Sequence, residues 1–377
     1  MSGEIYLKEV NNETLKAQFI DFAYNHYKGC EHYIAPLRFD IKNNLDTQKN
    51  PFYQHSRIKL WLAFDDGKIV GRIAAIVNDN HNNFHKDKVG FFGFFESINN
   101  RLISNKLFDA ATSWLKDQGM DTIRGPVNPS TNDECGLLVN AFDTDNVILM
   151  PYNFEFYEEL ILNAGFTKSK DLHALWISKD VIKDEKVMEK LRRIAEIVMK
   201  RENIKIRKVN LRDFDNEVQR VRDVYNNAWS DNWGFVPMTE DEFRYIAKNL
   251  KIAVNPEFVE FAEIDGQPIG FSLAIPDLNQ AIKGLNGKLF PFGIFKFLSG
   301  KKRINRLRVI IMGMKHEYQK KGIDGIFYKN LIENGNRLNY IGAEISWVLD
   351  DNMPMMKTAE NLGAKIYKTY RIFDKKI

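Results

Sequence analysis

The sequence predicts an α/β (α+β) protein in which one fold occurs twice in tandem, each copy a mixed, mostly antiparallel sheet flanked by helices. Three observations predict it. The chain is 377 residues long, beyond the ~100–200 residues that one ordinary core serves. Apolar residues and turn signals of the first half return in the second at a shift of 199 residues, which carries Val10 and Asn11 onto Val209 and Asn210. Each half also holds an Asp-Gly pair between two β-prone runs, a strong hairpin signal because such turn residues must accept positive φ.

Each half opens with a short alternating strand, IYLKEVN in the first and IKIRKVN in the second. An amphipathic helix follows: Leu15, Phe19 and Phe22 have the same spacing as Phe214, Val218 and Val221, and residues so spaced share one helical face. Next, LAFDDGKIVGRIAAIV stands over FAEIDGQPIGFSLAIP, pairing Ala63 with Ala262, Asp66 with Asp265, Gly67 with Gly266, Gly71 with Gly270 and Ile76 with Ile275. In the first half GFFGFF from Gly90 reads as a buried strand, LFDAATSWLKDQG as a helix ending at Gly119, and TIRGPV as a strand. In the second, LRVIIMGM is the strand, the helix runs from about Asp324 to Leu338, and AEISWVL is the next strand. NMPMMKTAENLG is a helix with Gly363 at its C-terminus, and IYKTYRIF closes the fold as a strand. AGF at 164–166 and LGA at 362–364 recover the repeat at a shift of 198, implying insertions after the fifth strand of the first half and between the third and fourth strands of the second. The expected organisation is a first domain at 1–180, a linker helix at 181–202 and a second domain at 203–377 with an insertion at 277–306. Val187, Leu191, Ile194, Ala195 and Val198 give the linker one apolar stripe, suited to packing the two domains together.

Composition narrows the function classes. With 54 basic against 50 acidic residues, the formal charge of +4 is too small to imply nucleic acid, and none is expected as a partner. The N-terminus lacks an apolar signal region and no run of 18 apolar residues occurs, so a cytoplasmic location is expected. Cys30 and Cys135 lie far apart without redox or metal-knuckle spacing. His81 and His85 have the spacing of a helical metal pair, but NDNHNNFHKDK reads as a polar loop without a carboxylate arrangement, and no metal is expected. The oligomeric state is left open.

The most informative stretch is RVIIMGMKHEYQKKGIDGIFYKNLIENG, where a buried strand ends in a polar turn and a helix begins at once. Gly322 at the helix entrance lets unpaired backbone N–H groups converge, and the helix dipole adds positive potential; Lys320 and Lys321 add charge suited to phosphate. The strand at Met312, Gly313 and Met314 can offer backbone groups to an extended ligand. With the order of elements around it, this stretch resembles the GNAT superfamily of acyl-CoA-dependent N-acyltransferases. The resemblance implies that Gln319 and Gly322 match the first and fourth positions of the family's Gln/Arg-x-x-Gly-x-Gly/Ala pyrophosphate motif, with Ile323 between. The sixth position carries Asp324 instead, and Gly325 follows. Asn352, eleven residues before Gly363, corresponds to the Asn that contacts the CoA arm.

The first half has ESINNRLISNKLF where the cradle would follow GFFGFF, without a glycine, so it reads as a degenerate copy. Tandem copies of which one has lost the cofactor are similar to mycothiol synthase and to Fem-type aminoacyltransferases. The resemblance implies acetyl-CoA or another acyl-CoA as co-substrate and an amine of a small molecule as acceptor. The Tyr that protonates the leaving thiolate in the family falls on Ala359; Tyr367 and Tyr370 are replacement proton sources, and Glu344, Asp350 and Asp351 are candidate bases. Trp229, Trp233 and Phe235 are candidates for an acceptor wall. The turn-rich loop from Gly125 to Asp143 is expected to approach the neighbouring domain's acceptor end. The insertion Asp277 to Arg308 holds one acid against eight bases and is expected to form a lid, with a membrane-surface contact through 286–306 as the other functional option. An aminoacyltransferase and a non-catalytic binding protein remain the alternatives to acyl-CoA-dependent transfer.

Overall fold

The computed structural model describes residues 4–182 and 185–377, and its chain forms two compact units. Unit 1 comprises Met1–Leu172, Ile282–Leu298 and Lys368–Ile377; unit 2 comprises His173–Ala281 and Ser299–Tyr367. The end of the chain and most of the insertion therefore count with the first unit, although they follow the second copy in sequence.

In unit 1, β1 (Ile5–Glu9), α1 (Glu13–His26) and α2 (Arg38–Asn44) precede the hairpin of β2 (Ser56–Asp65) and β3 (Lys68–Asn78). Then come α3 (Asp79–His85), β4 (Val89–Ser97), α4 (Arg101–Asp117), β5 (Thr122–Gly125), three two-residue strands β6 (Val127–Asn128), β7 (Glu134–Cys135) and β8 (Leu137–Leu138), and α5 (Tyr157–Asn163). The sheet runs β1-β2-β3-β4-β5, antiparallel except for the parallel β4/β5 pair, and residues 373–376 of the chain's last strand pair antiparallel with β5. Leu107, Phe108, Ala111 and Leu115 of α4 pack onto Ala63, Ile73, Ala75 and Phe92 of the sheet.

The strand β9 (Thr167–Ser178) begins in unit 1 and ends in unit 2, followed by α6 (Lys179–Ile182) and α7 (Glu185–Glu202). Unit 2 repeats the plan with β10 (Lys205–Lys208), α8 (Phe214–Ala228), α9 (Glu240–Leu250), β11 (Val259–Ile264) and β12 (Gln267–Pro276). After α10 (Asn279–Ile282) and α11 (Gly293–Lys301) come β13 (Arg306–Met314), α12 (Ile323–Arg337), β14 (Gly342–Leu349), α13 (Met353–Asn361) and β15 (Lys365–Lys376). The order is β14-β13-β12-β11-β10, with only β13/β14 parallel.

The repeat holds at the level of backbone detail. Asp66 and Gly67 have φ of 49° and 74°, and Asp265 and Gly266 have 50° and 76°, so both hairpins turn on two positive-φ residues. A β-bulge falls between Ala63 and Phe64 in one hairpin and between Ala262 and Glu263 in the other, again 199 residues apart.

Three expectations change. The polar run around His81 is the helix α3, because the Asn78 side chain accepts the His81 amide as an N-cap. The helix expected from Leu107 begins at Arg101, capped in the same way by Asn100. The stripe of the linker helix packs within unit 2: Met188 and Leu191 join the core around Leu307 and Ala343, and Ala195 and Val198 that around Ile323 and Phe327.

Candidate active site

The site is built where β13 and β14 part. Their parallel ladder runs from Arg306↔Gly342 to Val309↔Ile345, while β13 continues to Met314 along β12. The edge of Ile310–Met314 that points away from β12 thus lies beyond the last rung with β14, so the backbone of Met312, Gly313 and Met314 borders an opening. Pairing of Phe271 with Gly313, Leu273 with Ile311 and Ile275 with Arg308 puts these residues on one face, the face that carries α8. Trp229, at the end of α8, stacks on Tyr225 at 5.1 Å and lies against Phe271 at 5.9 Å. It presses so closely on Gly313 that a Cβ there would stand 2.4 Å from the indole. Trp229 therefore forms a wall over the end of β13. Phe235 is buried beside Tyr225, and Trp233 is half-buried in the same turn.

The turn from β13 to α12 has the geometry of an anion cradle. Gly322 caps α12 with φ of 82°, a left-handed conformation in which a side chain is strained, and an added Cβ would meet Val198 at 3.4 Å. The Gln319 side chain donates to the Met314 carbonyl at 3.3 Å, and His316 is fixed by Asn227 on its amide at 2.9 Å and by Ser230 on Nε2 at 3.0 Å. Ile323 is core, so only its backbone can face a ligand. Two features oppose an incoming phosphate. Lys321 faces Glu202 at 3.4 Å, leaving Lys320, exposed at φ 59°, as the outward cation. The Asp324 carboxylate stands in the first turn of α12, and burial pushes its pKa upward. Gly325 itself is open apart from Ile194 at 3.6 Å. The loop fits a pyrophosphate apart from the acid at Asp324. Asn352 caps α13, accepting the Met355 amide at 3.3 Å through Oδ1, which leaves its side-chain NH2 as the group able to donate to a ligand.

Among the sequence-predicted bases, Glu344 is set in a specific network. It is wholly buried as the register partner of Arg308, which puts it on the face shared by Gly313 and Trp229. Tyr367 and Ser346 each donate a hydroxyl to its carboxylate, and Arg308 Nε donates to Ser346 Oγ at 2.9 Å. Arg308 and Ser346 were not anticipated as site residues: Arg308 read as one more base of the insertion. A lone arginine inside the apolar run LRVII was the available signal. Tyr370, three residues from Tyr367 on β15, falls on the opposite face of that strand and is buried in unit 1. Asp350 and Asp351 lie in the turn after β14, outside the strand that carries Glu344. Ala359 is fully buried in the core with Met356 and Leu362.

The corresponding place in the first copy is filled by its own chain. Asn100 accepts the Leu102 amide at α4, and Arg101 pairs with Glu159. The Val127 carbonyl occupies the space where a Cβ on Gly93 would sit, and Asn128 accepts the Phe94 amide at 2.6 Å. Behind this, Glu96 accepts from Tyr27 at 2.6 Å and Tyr157 at 2.7 Å, and His26 meets the Tyr157 hydroxyl at 2.9 Å. Burial raises the Glu96 pKa and lowers that of His26 to about 4. The loop that provides Val127 and Asn128 is the one expected to reach toward the other domain, and these two residues fold back on unit 1.

No protein-family model matches the chain. Protein YghO of Escherichia coli is 36% identical over 374 residues, covering 98% of this chain and 94% of that one. The bacterial ceramide synthase of Caulobacter vibrioides is 36% identical over 353 residues, covering 91% and 90%. Among solved structures, a tandem GNAT protein from the clavulanic acid biosynthesis pathway aligns with a TM-score of 0.59 at 11% identity, covering 99% of this chain and 98% of that chain. The GCN5-related glucosamine N-acetyltransferase region of a fungal β-N-acetylglucosaminidase gives 0.59 at 15% identity, covering 99% of this chain and 38% of that chain. With two relatives matched nearly end to end, the chain belongs to the family that holds Protein YghO and the bacterial ceramide synthase, and its fold is the tandem GNAT fold.

Proposed function

We propose that the protein is an acyl-CoA-dependent N-acyltransferase whose acceptor is the amine of a long-chain lipid base. The observation that carries the transfer reading is the parting of β13 from β14 beside the left-handed Gly322 at the start of α12, which offers a strand edge and an anion cradle in line. The acceptor class is suggested by the ceramide synthase relative, since a ceramide is the amide of a long-chain base. Acyl-CoA supplies the thioester; the new C–N bond forms as the C–S bond breaks, and the amine loses one proton. In this reading β13 amides orient the thioester, Trp229 walls the acceptor side, and Glu344 receives the amine proton through Tyr367. Arg308, acting through Ser346, positions Glu344 and balances its charge.

The test is to incubate purified full-length protein with a long-chain acyl-CoA and sphinganine, following thiol release and the N-acyl product by mass spectrometry. Amide formation on sphinganine, in preference to hydrophilic amines, supports the reading. Turnover confined to hydrophilic amines removes the lipid acceptor, and an absence of thiol release with every donor and amine removes the transferase.

A further inference from the structure

We propose that the insertion between β12 and β13 docks the protein on an anionic membrane surface, with Phe290, Phe292, Phe295 and Leu298 entering the lipid interface.

These four side chains are 73%, 79%, 71% and 53% exposed within a stretch of nine residues, although the segment is otherwise anchored. The anchoring is specific: the Gly287 carbonyl accepts the Arg38 amide at 3.0 Å, Phe297 is buried, and Gly293 passes so close to the Lys288 carbonyl that a Cβ there would stand 2.3 Å away. The apolar side chains are thus held outward by a fixed backbone. Along α11, Phe295 and Leu298 lie three residues apart on the face opposite Phe297's burial, and Phe292 continues that face before the helix.

Charge identifies the occupant. Residues 278–316 contain no carboxylate. Of the eight bases first counted in the insertion, Lys283 is paired with Asp145 at 2.7 Å, Arg306 with Asp277 at 2.9 Å, and Arg308 is buried against Ser346. Lys288 and Lys296 remain exposed in the same segment as the phenylalanines, and Lys301, Lys302 and Arg303, exposed as well, follow directly in sequence. A protein partner with an apolar patch would not need a run of cations of one sign, whereas a bilayer of anionic lipids meets both parts at once: aromatic rings at the acyl boundary and ammonium groups at the phosphates. Among the described residues no helix is long and apolar enough to cross a membrane, so the contact is peripheral. The proposal rests on the lipid-acceptor reading for what docking accomplishes, namely access to an amine that resides in a bilayer.

Flotation of the full chain with phosphatidylcholine vesicles, with and without phosphatidylglycerol, tests it. Binding should require phosphatidylglycerol, weaken with salt, and fall about tenfold or more in Phe292→Ser/Phe295→Ser and in Lys296→Glu/Lys302→Glu. Both pairs are exposed, and unchanged thermal melts show that they fold. The double Phe variant should keep its turnover on a short-chain, water-soluble amine and lose it on sphinganine in vesicles. Acyl transfer without vesicle binding overturns the docking and leaves the function standing; vesicle binding without transfer does the reverse. A dimer in solution that Phe292→Ser/Phe295→Ser dissociates would show that a second copy covers this face, and would also overturn the proposal.

Discussion

Arg308 and Glu344 stand opposite each other as register partners on β13 and β14, both buried, with the Ser346 hydroxyl donating to one while accepting from the other. Removing the arginine takes the donors away from Ser346 Oγ and the Ser346 carbonyl, both buried beside Glu344. Arg308→Met should destabilise the fold by about 1–3 kcal/mol in chemical denaturation, and Arg308→Met/Glu344→Gln should recover part of that loss. If Arg308 only packed the strand, the second change would recover nothing.

Glu344→Gln alone keeps the volume and one of the two oxygens that accept from Tyr367 and Ser346, but cannot take a proton. Acyl transfer should drop by roughly 10²–10⁴-fold in kcat, with CoA affinity unchanged. A variant that turns over normally would move the base elsewhere, with the turn at Asp350 and Asp351 the next place to look.

The repeat, the hairpins and the strand-to-helix turn were legible because they depend on local signals: period, Asp-Gly pairs and one glycine at a helix entrance. Helix starts set by a single asparagine side chain, at Asn78 and Asn100, were hidden because a polar run looks the same in a loop. The Arg308–Ser346–Glu344 chain was hidden for another reason: it depends on the register between strands separated by a helix, which no local pattern encodes. The assignment of residues 368–377 to unit 1 is likewise a long-range pairing, of Phe373 through Lys376 with β5.

Asp324 places an acid in the first turn of α12, where a phosphate would approach. Its pKa is raised by burial, so the carboxyl protonates at higher pH than a solvated aspartate. The folded state disfavours the charged form; stability from this group declines as pH rises through the raised value, and CoA affinity should decline with it. Asp324→Asn should tighten CoA binding and flatten its pH dependence in calorimetry. Weaker binding would mean that the acid helps to shape the cradle.

Gly322 tests the cradle from the other side. At φ of 82° a side chain is strained, and an added Cβ would come into contact with Val198 at 3.4 Å. Gly322→Glu should therefore lose CoA affinity severely through steric block and charge repulsion, at a stability loss of about 1 kcal/mol for the left-handed backbone. Unchanged affinity in a folded Gly322→Glu protein would show that CoA does not use this loop.

The final prediction is that one acyl-CoA binds per chain, in the second copy. Both copies keep the parallel pair that opens a cleft, β4/β5 and β13/β14, and both bring a helix to its mouth. They differ in what fills it. In the second copy Gly322 has no side chain and the strand edge runs on to Met314. In the first, Asn100 takes a helix amide, Asn128 takes the Phe94 amide, and the Val127 carbonyl stands in the space beside Gly93. Hydrogen-bond donors that a thioester or phosphate needs are thus already satisfied there, and displacing them would leave buried acceptors unpaired. Calorimetric titration should return one equivalent of CoA. Asn128→Ala should leave that affinity unchanged while Gln319→Ala weakens it, because the Gln319 side chain holds the loop to the Met314 carbonyl. A second equivalent of CoA in the wild-type titration, or an affinity that falls with Asn128→Ala, would place a working site in the first copy after all.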